Sequence, residues 1–382
     1  MNSKKAQVAI VAVFLVFTIA LSAMFFILPK EDYSPSEKRF LAETPEVSLE
    51  NFFDGKLTTA LEGGENGGYI PDHFPFRSLF VGINSYWNLL TGSTASNGYY
   101  FSDDGYIITK PADTNRSDRN LQLINLFASS FDEVYLMVVP SAGEMLSHKL
   151  PAVHSEYPDA GVYDYIAENK AENIRFMDLR EYFGDCVVSD EQIFYRTDHH
   201  WTSFGAFVAY GYYCDALGLD FTPMEKFTVS EHQGFYGTTY SSSGYFLTEP
   251  DTLEIWENKN ISDSIKVTIT EGADSKEYDS MYFTDHLEED DMYPVFLDGN
   301  HALVKIENEK AKSDQTLLLI KDSFAHCAAP FLAENYSEIV MVDLRYYKGS
   351  VKDLAQQEDA DDILFLYGMN NFCTDSNFAF LQ

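Results

Sequence analysis

The pattern of apolar and polar positions divides the chain into three regions. An uninterrupted apolar run occupies about residues 6–28, and a stretch rich in Pro and Gly follows it to about residue 70. Beyond that point, short apolar runs alternate with polar turns, which is typical of a folded domain. The pattern therefore predicts a transmembrane anchor with a short tip at 1–30, a stalk at 31–70 and a large domain at 71–382.

The first apolar run is long enough to cross a bilayer as a helix, which takes about 20 residues. It is longer than the apolar core of a secretory signal, which has about 7–15 residues. Lys4 and Lys5 precede it and favour a cytoplasmic N-terminus. We expect an uncleaved, single-pass signal anchor in the cell membrane with the large domain on the extracytoplasmic side. Cleavage at a small-residue site near Ala23 would instead release a secreted protein.

From about residue 118, helical patterns alternate with continuous apolar strands. Such strands are typical of parallel sheets covered on both faces, and strand–helix–strand units make right-handed crossovers. The sequence therefore predicts a three-layer α/β/α sandwich with a mostly parallel sheet. The expected strands are 133–139, 174–178, 316–320, 338–342 and 362–367, and the expected helices are 119–130, 162–173, 203–217, 324–333 and 351–357.

Residues 222–310 interrupt this alternation. They are rich in Thr, Ser, Tyr and Asp and contain short alternating runs, for example at 253–256 and 264–269. Alternation of apolar and polar residues indicates half-buried strands. We therefore expect an antiparallel β insertion within the sandwich, in addition to a helix at 78–90 and a hairpin at 99–107.

Charge and cysteine content exclude some classes of function. The chain has 26 basic and 60 acidic residues, a formal net charge of −34. Nucleic-acid binding depends on basic side chains that displace counterions, so a nucleic-acid partner is excluded. The four cysteines form no CxxC pair and have no zinc-site spacing, and the sequence predicts no cofactor. A Cys186–Cys214 disulfide remains open.

Three short segments carry candidate chemistry. Asp198 lies two residues before His200, and a carboxylate in that position can orient an imidazole and stabilise its charged form. Ser323 lies between a buried strand and a helix, and Asn370 follows another strand, so both fall at the carboxyl edge of the sheet, where ligands bind. A base beside a serine makes its hydroxyl nucleophilic, and preorganised donors stabilise the oxyanion. A nucleophile, a base, a group that orients the base and an oxyanion donor are together what acyl transfer needs.

These segments resemble a known family. Asp322-Ser323-Phe324 is similar to the first block of the SGNH hydrolases, and Gly368 to Asn371 is similar to their Gly-x-Asn-Asp block. The Asp-His-His-Trp string at 198–201 precedes the serine, as in the DHHW family and the permuted alginate O-acetyltransferase branch. The chain departs from the usual pattern at Lys321, where a glycine is usual, and at Asn371, where an aspartate is usual.

The resemblance implies an SGNH-like fold over about residues 70–382 and a role for each matching residue. Ser323 would be the nucleophile, His200 the base and Asp198 its orienter. The oxyanion would be held by the Ser323 N–H and the Asn370 side chain. The implied activity is that of a serine-dependent O-acetyltransferase or acetylesterase acting on a cell-surface or secreted polysaccharide, with a membrane-bound acyltransferase as acetyl donor.

Two other functions remain open. The departures at Lys321 and Asn371 suggest a non-catalytic scaffold or glycan-binding protein on the same fold. Alternatively, Asp198, His199 and His200 could ligate a metal in a phosphoesterase. That site would need further ligands, for which the conceivable residues are His73, Asp322 and His326.

Several residues are candidates for substrate binding, and each also has a structural interpretation. Trp201 is more typical of a core than of a sugar platform, and Arg345 is equally typical of a surface salt bridge. Ser323 itself is a common helix N-cap residue. The substrate-binding candidates are His199, Trp201, Tyr240, Arg345 and Tyr346.

Overall fold

The computed structural model describes residues 3–34, 39–63 and 68–381. Pro35 and the Gly64–Gly67 part of the predicted stalk lie outside these residues. The contacts divide the chain into two compact units. The first comprises the residues up to Asn97 together with Ser241–Phe246, and the second comprises Gly98–Tyr240 and Leu247–Gln382. The helix expected at 78–90 therefore belongs to the first unit.

The first unit contains the apolar N-terminal helix and several short elements. An 18-residue window within residues 4–27 of that helix has a mean hydropathy of 2.8 and is not buried, and among the described residues this is the one helix long and apolar enough to span a membrane. It is compatible with a signal anchor. The elements are helices α1 (Ser3–Ile27), α2 (Leu49–Phe53), α3 (Lys56–Glu62), α4 (Tyr69–Asp72) and α5 (Arg77–Leu90), and strands β1 (Tyr33–Ser34), β2 (Arg39–Phe40) and β3 (Ala95–Ser96).

The second unit begins with a hairpin and continues as alternating strands and helices. Its strands are β4 (Tyr99–Phe101), β5 (Ile107–Thr109), β6 (Val134–Val139), β7 (Ile174–Asp178), β8 (Thr228–Phe235), β9 (Asp251–Glu257), β10 (Ile265–Glu271), β11 (Asp274–Tyr278), β12 (Leu303–Asn308), β13 (Thr316–Lys321), β14 (Glu338–Val342) and β15 (Asp362–Gly368). The helices are α6 (Ser117–Ala128), α7 (Ala142–Met145), α8 (Asp159–Asn169), α9 (Arg180–Val188), α10 (Ser203–Leu217), α11 (Thr238–Ser243), α12 (Phe324–Leu332), α13 (Val351–Gln357) and α14 (Met369–Thr374). The last three residues of α11 belong to the first unit.

Eight strands form the main sheet, in the order β11-β10-β12-β14-β13-β15-β6-β7. The five strands from β14 to β7 pair in parallel, as the apolar runs predict. Helices cover both faces. Side chains of α6, α8, α13 and α14 pack on one face, and those of α9, α10 and α12 pack on the other. The predicted three-layer α/β/α sandwich is confirmed.

The expected antiparallel β insertion is present, and three of its strands extend the main sheet. Strand β12 pairs antiparallel with β14, in the register Leu303↔Val342, and β10 and β11 continue the sheet outward from it. Alternating apolar residues on β10 and β12 contribute to the same core as the parallel strands. Within the region, β8 and β9 form a separate two-stranded ribbon.

Two turns carry the chemistry-bearing segments to the sheet edge. The segment with the two histidines ends at Thr202, whose Oγ accepts from Gly205 N (3.1 Å) and caps α10. A Cβ at Gly205 would lie 2.5 Å from Ile193 O, so only glycine permits this close approach. Ser323 is the N-cap residue of α12, two residues after the end of β13, but its side chain makes no capping hydrogen bond. The serine hydroxyl is therefore free for another partner.

Candidate active site

Asp198, His200 and Ser323 form a continuous hydrogen-bonded series, called the relay below. His200 Nδ1 lies 2.5 Å from Asp198 Oδ1, and His200 Nε2 lies 2.7 Å from Ser323 Oγ. The side chains of Asp198 and His200 are buried, and Ser323 is 8% exposed. The structure thus joins three residues that are separated by up to 125 positions in the sequence.

The partners of the relay fix its protonation. Burial alone would raise the pKa of Asp198, but His200, His199 and the hydrogen bonds to its oxygens hold the pKa below its ordinary value. An ionised carboxylate can only accept, so His200 Nδ1 carries the proton that is donated to it. Nε2 is then the acceptor for the Ser323 hydroxyl. This is the tautomer that a general base needs.

Thr238, which the sequence analysis did not single out, holds the second oxygen of Asp198. Its backbone N–H and its hydroxyl donate to Asp198 Oδ2, at 2.8 and 2.9 Å. Gly237 lets this loop approach, because a Cβ there would lie 2.3 Å from Asp198 Cβ and Oδ2. The carboxylate is therefore fixed from both sides.

His199 supports the same carboxylate indirectly. Its Nδ1 lies 2.7 Å from Thr238 Oγ, whose single proton is already donated to Asp198. His199 Nδ1 must therefore be the donor, which leaves Nε2 unprotonated. Burial and the neighbouring His200 lower the pKa of His199, although 37% of its side chain is exposed. His199 is thus a neutral group at the surface of the site.

Tyr293 and Phe324 enclose the imidazole of His200. The Tyr293 ring is stacked on it with centroids 3.9 Å apart and planes 6° apart, and the Tyr293 hydroxyl donates to Ser323 O (3.0 Å). Phe324 packs edge-on against His200 at 5.0 Å. Tyr293 lies in the turn-rich region before β12, where no periodic pattern pointed to it. It contacts both the imidazole of His200 and the backbone of Ser323.

Asp322 ties the serine turn to the end of β15. It accepts from Phe324 N (3.0 Å), Gly368 N (2.8 Å) and Asn371 Nδ2 (2.8 Å). Burial raises the pKa of Asp322, and the donors from Asn371 and Gly368 oppose that rise. An aspartate at position 371 would set two carboxylates against each other, whereas Asn371 supplies a donor. The departure from the usual pattern at this position therefore has a structural reason.

The two expected oxyanion donors are available. Within the described chain, neither the Ser323 N–H nor the Asn370 side-chain amide donates to another residue. Asn370 lies half-buried in the first turn of α14, next to Asn371, which is held against Asp322.

Lys321 belongs to a second buried set of charges, called the ionic cluster, which consists of Lys321, His326, Asp343 and Arg345. Lys321 Nζ lies 2.7 Å from His326 Nε2 and 3.1 Å from Asp343 Oδ2. Arg345 donates to both oxygens of Asp343, at 2.9 and 2.6 Å. Burial, and then the charge of Lys321, hold the pKa of His326 well below its ordinary value. The cluster therefore accounts for a lysine at the position of the usual glycine.

The five substrate-binding candidates differ in burial and in their contacts. Trp201 is fully buried and its indole N–H donates to Phe324 O (3.0 Å), which leaves no ring face for a sugar. The guanidinium of Arg345 is engaged by Asp343 and Asn300, the salt-bridge interpretation of this residue. Tyr346, 39% exposed, lies beside it. Tyr240 is half-buried and its ring centroid is 4.2 Å from that of Tyr236. His199 adjoins the relay through Thr238, and 37% of its side chain is exposed.

The contacts of these residues fit a metal site less well than they fit the relay. Ligand atoms of Asp198, His199 and His200 do lie within 4.8 Å of one another. However, the nitrogens of His200 are hydrogen-bonded to Asp198 and Ser323. The proposed further ligands are engaged elsewhere, His326 by Lys321, Asp322 by amide donors and His73 by Ala42 O at 2.9 Å.

A comparison with protein-family models identifies the family. The model of the DHHW protein family matches residues 91–342, well over half of the chain. The chain belongs to the DHHW family. The matched range contains the relay and Lys321 and His326 of the ionic cluster, and it ends just before Asp343 and Arg345 and before the Gly368–Asn371 segment.

Solved structures show the same fold. A DHHW family protein from Eubacterium siraeum has 22% identity and a TM-score of 0.64, covering 75% of this chain and 95% of its own. Bacillus cereus PatB1, determined with a sulfonyl adduct, has 22% identity and a TM-score of 0.64, covering 74% and 98%. The O-acetyltransferase domain of Pseudomonas putida AlgJ is more distant, with 14% identity, a TM-score of 0.46 and coverage of 73% and 93%. None of the curated protein sequences matches this chain.

Proposed function

We propose that this DHHW family member is a serine-dependent O-acetyltransferase or acetylesterase that acts on a cell-surface or secreted polysaccharide. The observation that carries the proposal is the relay, with Ser323 Oγ 2.7 Å from His200 Nε2 and Asp198 fixed on the other side of the ring. Geometry of this kind is required of a nucleophile and its base.

The chemistry follows from the positions of the protons. Ser323 Oγ attacks the acetyl carbonyl carbon while its proton moves to His200 Nε2, and ionised Asp198 stabilises the resulting imidazolium. The carbonyl oxygen becomes an oxyanion, for which the Ser323 N–H and the Asn370 amide are the available donors. Collapse expels the leaving group, which takes the proton from His200, and leaves acetyl-Ser323. A sugar hydroxyl or water, deprotonated by His200, then attacks this ester and restores the serine.

The hydrolytic half of this chemistry is tested with an activated acetyl ester. The full chain should release acetate, and Ser323→Ala and His200→Gln should each lower kcat by about 10³-fold or more. Ser376→Ala and His154→Gln, at exposed positions outside the relay, are matched controls that should keep the parent rate. Equal turnover by the parent and the two relay variants would overturn the proposal.

Transfer is distinguished from hydrolysis by adding acceptors. Oligosaccharides with free hydroxyls should be acetylated in competition with water if the site takes a sugar, and mass spectrometry of the saccharide measures the ratio. Acetate release with no acetylated saccharide would make the protein an esterase rather than a transferase.

The non-catalytic alternative was motivated by Lys321 and Asn371. Both side chains have defined partners, Asp343 and His326 for the first and Asp322 for the second, and neither displaces Ser323 from His200. The packing around the relay therefore favours catalysis. The two ideas are separated by covalent labelling of Ser323.

The proposed location is the extracytoplasmic face of the cell membrane, with α1 as the anchor and a membrane-bound acyltransferase as the acetyl donor. Lys4 and Lys5 before the apolar helix favour this orientation. Protease added to intact cells stripped of their outer layers should digest the large domain. Protection of that domain until the cells are lysed would contradict the orientation.

A further inference from the structure

Helix α5 of the first unit turns its apolar side chains outward. It buries Gly82 and Ser85, whereas a surface helix ordinarily buries its apolar stripe. Five large apolar side chains at spacings of three and four residues lie on one exposed stripe, called the outer stripe. They are Phe76, Leu79, Ile83, Trp87 and Leu90, with exposures of 57, 60, 54, 65 and 83%.

The inner face of α5 carries small side chains, because another segment of the same unit packs closely against it. Ser85 Oγ donates to Ser243 O (2.5 Å), and Phe246 N donates to the Tyr86 hydroxyl (2.9 Å). A Cβ at Gly82 would lie 3.2 Å from Phe246 Cε2. These contacts fix the rotation of the helix, so the outward direction of the apolar stripe is built into its packing.

The charge around α5 is unlike that of the rest of the chain. Residues 73–102 contain no Asp or Glu and one basic residue, Arg77, although the protein has 60 acidic residues among 382. Elsewhere the acidic surface would be repelled by anionic lipid headgroups. This stretch is therefore able to approach a bilayer surface without that repulsion.

The start of α5 lies beside the end of the apolar helix α1. Lys30 Nζ donates to Phe25 O (2.5 Å) and to His73 O (3.4 Å), and the rings of Phe25 and Tyr69 have centroids 6.0 Å apart. α5 begins four residues after His73. The outer stripe therefore starts next to the point at which the proposed anchor leaves the membrane.

We propose that α5 docks its outer stripe in the interfacial region of the bilayer that α1 enters. An interfacial helix lies in the membrane plane with its apolar face about 5–10 Å deep, and Trp is favoured at that level. Docking would fix the first unit against the membrane. The proposal rests on α1 being a membrane anchor and is independent of the acyl-transfer chemistry.

Tryptophan fluorescence tests this directly, because Trp87 is the exposed one of three tryptophans. Trp201 and Trp256 are 0% and 5% exposed. The full chain and Trp87→Phe are reconstituted in phosphatidylcholine vesicles, and the difference between them gives the Trp87 emission. Lipid brominated near the headgroup end of its acyl chains should quench this emission several-fold more than aqueous iodide does. Quenching by iodide and not by lipid would overturn the proposal, and so would protection from both, which indicates a protein cover.

Two charge variants of the same helix sharpen the test. Ile83→Asp places a carboxylate in the outer stripe and should lower lipid quenching of Trp87 several-fold while iodide quenching rises. Ser78→Asp adds the same charge at an exposed position on the opposite side of α5 and should leave the quenching unchanged. Because α1 still anchors both variants, equal lipid quenching in the two would contradict docking through the stripe.

Discussion

The relay and the ionic cluster lie at the same edge of the sheet, and the histidine in each has different hydrogen-bond partners. In the relay, His200 lies between a carboxylate and a hydroxyl, so its Nε2 can accept the proton of the Ser323 hydroxyl. In the ionic cluster, His326 accepts from Lys321, and Asp343 is neutralised by Lys321 and Arg345. The Nε2 of one histidine therefore contacts a serine hydroxyl and that of the other a lysine amine, and only the first contact has the geometry of the proposed acyl transfer.

The largest expected effect comes from the aspartate of the relay. Asp198→Asn keeps the shape of the side chain but removes the charge that holds His200 in the base tautomer. We expect kcat for an acetyl ester to fall by about 10³–10⁴-fold. The thermal midpoint measured on the same samples checks that the variant is folded. A loss of less than tenfold would show that the carboxylate does not orient the base.

The matching aspartate of the ionic cluster should behave in the opposite way. Asp343→Asn leaves the buried Lys321 and the partly buried Arg345 without their counter-charge, which should lower the free energy of unfolding by about 3–5 kcal/mol. The kcat per folded molecule should stay within a few-fold of the parent. Urea unfolding measures the first and active-site-normalised kinetics the second. An intact stability with a collapsed kcat would place Asp343 in the catalytic machinery.

The stability difference at Asp343 should depend on pH. Lys321 and Arg345 outweigh burial and hold the pKa of Asp343 at about 2, below its unfolded value. Its contribution to stability is therefore present above about pH 4 and is lost as the pH falls through 2. The gap between the parent and Asp343→Asn should be full at pH 5 and should narrow towards pH 2. A gap that widens on acidification would contradict this sign.

A smaller effect is expected at Thr238, which holds the outer oxygen of Asp198. Thr238→Val removes a hydroxyl bonded to a charged group and should lower kcat about tenfold, because such bonds contribute about 1.5–3 kcal/mol. Thr238→Ser should restore most of the rate. Thr222→Val is the matched control, since its hydroxyl donates to the buried Glu334 outside the relay (3.0 Å). An equal loss of kcat in the control would mean that the effect is structural.

The smallest effect is expected at Tyr293. Tyr293→Phe keeps the ring stacked on His200 and removes the hydrogen bond to Ser323 O, so kcat should fall only two- to tenfold, about 0.5–1.5 kcal/mol. Tyr213→Phe, which removes a buried hydroxyl pair with Tyr336 (2.8 Å), should leave kcat unchanged. A loss as large as that of Asp198→Asn would move Tyr293 into the proton-transfer chemistry.

The parallel strands of the sheet can be predicted from the sequence, because buried parallel strands are continuous apolar runs. β13, β14 and β15 fall within about a residue of their expected bounds. The same pattern puts Ser323 at a strand end, and the spacing of Asp198 and His200 suggested their relation. The roles of these three residues remain predictions, although the structure brings them into hydrogen-bonding distance.

The rest depended on contacts that have no local signal. Thr238 and Tyr293 lie in turn-rich segments without a period, and they reach the relay only through the folding of the antiparallel region. The pairing of β12 with β14 is likewise a long-range contact, so the sequence predicts an antiparallel insertion but not its place in the main sheet. The departure at Asn371 has no local explanation either, because its partner, Asp322, lies 49 positions earlier in the chain.

Covalent labelling of Ser323 tests the central claim most directly. A serine hydroxyl becomes a strong nucleophile when an adjacent base accepts its proton, so a sulfonyl reagent should react at Ser323 if the relay is active. We predict one adduct per molecule of the full chain, mapped to Ser323 by mass spectrometry and formed at least a hundredfold more slowly in His200→Gln. No adduct on the folded protein, or labelling at the same rate without the imidazole, would contradict a reactive relay.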